Sequence, residues 1–192
     1  MSRWNGILRA VPDLIGLFVG AVLHRLLQTV RFERDAYVWM DFNDRATGDG
    51  LILVVVTQLL LMLGRGVSVG SLITSLPEVA LALLNSIVMW LLYSGIVYAI
   101  VRYLFRAEGS FPFYLRLTGF AAPTLLLLIA TLLLPVPAIV AVVLGSIWFV
   151  AVVAQGTHYV ADLPLDRAAI AAVGGFAGVI IVMSILGSLR FF

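Results

Sequence analysis

The sequence predicts an all-α polytopic membrane protein, with five transmembrane helices preceded by an amphipathic helix lying in the membrane interface. Three observations carry this. Of 192 residues, 62% are hydrophobic and only 11% are charged, whereas an ordinary soluble domain carries about 25% charged residues. Mean hydropathy is +1.12. Five apolar runs approach or exceed the roughly 20 helical residues needed to cross a hydrocarbon layer about 30 Å thick. So apolar a chain cannot cover a water-facing surface, which excludes a soluble enzyme, a disordered protein and a nucleic-acid-binding domain.

Residues 1–49 form a polar and aromatic N-terminal segment. Its apolar run Leu14–Leu23 is too short to span. His24 and Arg25 follow without the small-x-small pattern of a secretory cleavage site, so the run is expected to stay on the chain. Over 13–31, Asp13, Gly16, Gly20, His24, Gln28 and Arg31 recur every three or four residues, while Leu14, Phe18, Val22, Leu26 and Val30 line an apolar face. That periodicity suits a helix in the interface; a sixth, tilted span is the competing reading. Tyr37, Trp39 and Phe42 follow as interface anchors.

Residues 50–192 carry the five spans, at 50–64, 79–101, 117–134, 136–154 and 168–189. The first is short and must extend back past Asp49 or forward past Arg65. Pro137 opens the fourth harmlessly, and Asp166 suits the start of the fifth. Pro123 removes a backbone hydrogen bond within the third and bends it. With five spans, Arg3, Arg9, Arg25, Arg31, Arg34, Arg45, Arg102, Arg106, Arg116 and Arg167 fall on one side, and only Arg65 and Arg190 on the other. The positive-inside rule then places the N-terminus in the cytoplasm.

Chemistry-bearing patterns are few. Asp41-Phe42-Asn43-Asp44-Arg45 begins like a calcium loop but has Ala46 and Ile52 where glycine and a bidentate glutamate belong. His158 and Asp162 share a helix face, yet His24 is the only other histidine, and there is no cysteine, so no metal or cofactor is expected. Ser110 and Ser146 have no histidine at useful spacing. Asp49, Glu78, Arg102 and Asp162 lie at span ends, which leaves no charge at a span centre of the kind ion-coupled transporters use. Gln58, Asn85, Ser86, Ser94, Thr131 and Ser184 are expected to make interhelical hydrogen bonds. Gly174 and Gly178 form a small-xxx-small face, for packing within the chain or against a second copy.

The segment Glu108-Gly109-Ser110-Phe111, then Leu115-Arg116, Gly119-Phe120-Ala121 and Pro123, with Trp148 and Arg167-Ala168 downstream, resembles the signature of the Yip-type (Ypt-interacting protein) domain family in its bacterial branch. The resemblance covers roughly residues 32–186 and implies a polar N-terminal segment followed by five spans, in a bacterial cytoplasmic membrane. Eukaryotic members are associated with vesicle traffic and membrane shaping. Their Asp-Leu-Tyr-Gly-Pro motif is absent here, so small-GTPase binding is not carried over.

The residues themselves point to lipids and to other membrane proteins or further copies as partners. Arg102, Arg106 and Arg116, with Phe111 and Tyr114, suit headgroup phosphates and headgroup depth. The expected function is a non-enzymatic membrane scaffold or organiser, in one form an accessory subunit of a larger complex. The alternative is a small-solute transporter or channel using the kinked third span and Asn85.

Overall fold

A computed structural model describes residues 20–129 and 137–189, with side chains through 185. Its elements are α1 (20–30), α2 (Arg34–Phe42), α3 (Arg45–Gly64), α4 (Val69–Thr74), α5 (Leu76–Ala99), α6 (Phe111–Ala121), α7 (Ala138–Ala161) and α8 (Leu165–Leu189). A π turn, Ile100–Leu104, extends α5, and a 3-10 stretch, Ala122–Ile129, extends α6. No strand occurs among the described residues. Five of these helices, α3 and α5 to α8 with their extensions, are long and apolar enough to cross a membrane. The chain is a multi-pass integral membrane protein.

Local chemistry sets the ends. Ser110 Oγ accepts from the Phe113 amide at 3.3 Å and Ser68 Oγ from the Ser71 amide at 3.1 Å, while Pro77 and Pro112 occupy first-turn positions that need no N–H. α1 stops at Phe32, whose φ of 63° lets the Glu33 amide reach Gln28 O at 2.9 Å. A bulky residue rarely holds that conformation. Here the Phe32 ring stacks on Trp148, 6.3 Å between centroids, and is held in place.

α6 is the hub. Of its membrane-length stretch 61% is buried inside the protein, against 17–33% in the other four spans. α3, α5 and α7 surround it, and α2 packs across α6 and α7. The core is Tyr37, Met40, Val97, Phe113, Leu117, Phe120, Val152 and Val153.

Several boundaries differ from the sequence reading, each for a physical reason. The first span extends backward, to Arg45, so Asp49 lies in its second turn and is buried. The third begins at Phe111 rather than 117, because Arg116 is neutralised inside the protein and need not end a span. The fourth continues to Ala161, its polar end packed on α2 through Tyr159 and Tyr37. The second starts at Leu76 and the fifth at Leu165; residues 130–136, including Thr131, lie outside the described region. Pro123 does more than bend its span. From Ala122 the helix continues as 3-10, which rises about 2.0 Å per residue instead of about 1.5 Å. Eleven α and eight 3-10 residues therefore reach about 32 Å, where an all-α segment would reach about 28 Å.

Candidate functional site

Arginines gather at the end of the bundle where α2, the start of α3 and the start of α6 meet, and their surroundings differ sharply. Arg116 turns inward and is 4% exposed. Its Nη1 donates to Met40 O at 2.8 Å and Asp41 O at 3.0 Å, its Nε to Thr47 Oγ1 at 2.9 Å, and its Nη2 to Asp44 Oδ1 at 2.6 Å. The two carbonyls belong to the last turn of α2, which leaves acceptors unpaired and carries the negative end of the helix dipole. One guanidinium thus caps α2 and ties it to α3. The headgroup role expected for Arg116 does not fit a side chain committed to protein acceptors. The same holds for Tyr114, which is fully buried against the rings of Tyr98 and Phe113.

Arg102 and Arg106 do face outward. The π turn re-aims the end of α5, so that Tyr103 is 75% and Leu104 67% exposed between the two arginines. The turn closes through Phe105 N to Ile100 O and Ala107 N to Val101 O, both 3.1 Å, with Arg106 at φ 54°. Phe111 is partly exposed beside Tyr98. The result is a cationic and apolar projection from this end of the molecule.

A second latch joins α1 to α2. Tyr37, fully buried, donates from its hydroxyl to Thr29 O at 2.8 Å, and Arg25 lies over the Trp39 ring at 5.1 Å. Burial pushes the Tyr37 phenol above its usual range, so it remains a neutral donor. Tyr37→Phe leaves the Thr29 carbonyl without that donor and is expected to destabilise the protein by about 1 kcal/mol, read as a lowered midpoint in SDS titration. An unchanged midpoint would show that the bond carries nothing.

Deep in the bundle, the polar side chains brace one another. Trp90 Nε1 donates to Thr118 Oγ1 at 2.9 Å and Leu115 O at 3.1 Å, and the Ser94 and Thr118 hydroxyls lie 2.6 Å apart. A crevice of about 260 Å³ beside them is lined by Ser86, Trp90, Tyr93, Thr118 and apolar residues, with no carboxylate or imidazole. Among the described residues, no cluster of three His, Asp or Glu could hold a metal. His158 Nδ1 lies 2.6 Å from Leu163 O, at the end of α7.

The packing residues also separate. A Cβ at Gly174 or Gly178 would stand 2.7–2.8 Å from Ile100 or Ile96 of the α5 arm, so this small-residue face is used within the chain. Asn85, expected to make an interhelical bond, instead lies on the outward side of α5. Pro123 lines a separate apolar groove of about 580 Å³ with Leu26, Leu27, Val30, Leu126 and Trp148. Among the described residues, Asn85 lines neither this groove nor the crevice beside Thr118. The sequence reading missed one close approach, Gly50 of α3 against Gly119 of α6. A signal was present, since Ala46 and Gly50 form a small pair four residues apart.

A sequence model of the family described as the Yip1 domain matches residues 36–187, from α2 almost to the end of α8. No curated protein and no solved structure matches the chain significantly.

Proposed function

The chain belongs to the Yip1 domain family, and from that premise we propose that it is a non-enzymatic organiser of a bacterial cytoplasmic membrane, acting through lipid and protein contacts at its arginine-rich end. The arginine distribution supports a cytoplasmic location for that end and for the N-terminus. The observation that carries the reading is the projection at the end of α5. Arg102 and Arg106 flank the exposed Tyr103 and Leu104. Such a combination holds lipid phosphates with its cations and seats its apolar side chains at headgroup depth. The Ser94 and Thr118 hydroxyls and the Trp90 indole, by contrast, are bonded to protein, which favours a structural role for that part of the interior.

The test is retention of phosphatidylglycerol by the purified chain, counted by native mass spectrometry. An arginine near an anionic surface contributes about 1 kcal/mol, so Arg102→Gln is expected to weaken retention about 5-fold. Arg106→Gly should do the same without strain, because glycine suits the left-handed backbone at that position. High salt should reduce the wild type similarly. Equal retention by the double variant would overturn the proposal.

A further inference from the structure

Asn85 lies nine residues into α5, about 14 Å from Leu76 and about 21 Å from Ala99 along the axis. It is also about 10 Å from Glu78 at the span end, which places it well inside a hydrocarbon layer about 30 Å thick. Its side chain is exposed and has no hydrogen-bond partner among the described residues. An amide there presents two donors and an acceptor to acyl chains that can satisfy none of them. A hydroxyl can bond its own helix, as Ser94 does to Trp90 O at 2.6 Å. Asn85 makes no such bond.

The surroundings extend the point. Glu78, Leu81, Asn85, Val88, Leu92 and Gly95 follow one another at alternating steps of three and four, the spacing of a coiled-coil seam. Leu81 is 67% and Val88 45% exposed, one turn to either side of Asn85. Trp90, Tyr93 and Ser94 point the other way, bonded to α6 and α8.

We propose that two copies of this chain associate through this seam, with Asn85 of each bonded to Asn85 of the other. Copies inserted in one bilayer share an orientation, so a two-fold axis along the membrane normal brings Asn85 to Asn85 at the same depth. A different partner would need its own donor and acceptor at that level. A second copy has both, because an amide complements itself. An asparagine at one seam position also fixes register and a two-stranded state.

The chain has no cysteine, so single cysteines report contacts directly. In neutral phosphatidylcholine vesicles, Leu81→Cys and Val88→Cys should form interchain disulfides on oxidation by oxygen with copper phenanthroline. Ile180→Cys, on the exposed face of α8, should not. Energy transfer between donor- and acceptor-tagged copies should show Asn85→Leu dimerising about 10-fold more weakly, on the order of one interhelical hydrogen bond in a membrane. Asn85→Gln, which keeps the amide, should stay near the wild type. Leucine is more apolar than asparagine, so a seam held by greasy contact alone would tighten in Asn85→Leu, which overturns the proposal. A monomer at every protein-to-lipid ratio, as when an unrelated protein covers this face, also overturns it, as does equal cross-linking at position 180. Anionic lipid is absent from these vesicles, so the outcome is independent of lipid binding at the arginine-rich end.

Discussion

Arg116→Met should destabilise the protein by about 3 kcal/mol, since a buried acceptor stripped of its donor costs about 1–3 kcal/mol and several lose theirs together. Met40 O, Asp41 O and Thr47 Oγ1 all depend on this one guanidinium. Arg116→Lys should recover little. A compact ammonium cannot span acceptors on α2 and α3 at once as a planar fork does. Asp44→Asn should cost only a small fraction as much, because the Asp44 carboxylate is fully exposed and its 2.6 Å ion pair is screened by water. Two measurements separate these cases: the SDS-titration midpoint, and amide exchange over residues 34–47, which should quicken first in Arg116→Met as α2 loosens. A variant with wild-type stability and protection would show that α2 is held by apolar packing alone.

Gly119→Ala should cost about 2–3 kcal/mol, in the range for overpacking a filled interior, and Gly50→Ala almost nothing. The asymmetry is geometric. A Cβ on Gly119 would stand 2.7 Å from Gly50 Cα and 2.9 Å from its carbonyl atoms, which are backbone and cannot swing aside. A Cβ on Gly50 would meet Gly119 Cα at 3.5 Å, an ordinary contact, and alanine is the better helix former by roughly 1 kcal/mol. SDS titration of both variants tests this; equal effects would mean that α3 and α6 do not approach as closely as described. Because α6 is the hub, a shift at Gly119 should also disturb the Trp90–Thr118 hydrogen bond one residue away, visible as a change in tryptophan emission.

The elements that were hardest to place in the sequence are those where a side chain answers to a partner far along the chain. Arg116 reads as the edge of a span because charge is costly in hydrocarbon. Its partners lie some seventy residues upstream, and only the fold brings them within bonding distance. Asn85 reads as an internal hydrogen-bonding residue, yet spacing alone does not say which face of an apolar helix meets protein. Hydrophobic on nearly all sides, α5 has little periodicity to orient it. Gly174 and Gly178 carry a legible request for close packing without naming the neighbour, which proves to be Ile96 and Ile100.

What the sequence determined by itself is the solvent and the count. Sixty-two per cent hydrophobic residues and five long apolar runs require a bilayer, because burial of apolar length is additive along a chain and needs no knowledge of neighbours. Tertiary structure alone decided which arginine is a strut and which reaches outward, which glycines touch, and which helix is central. Those outcomes depend on distances between residues remote in sequence, and a hydrogen bond or a steric clash exists only when such distances close to a few ångströms.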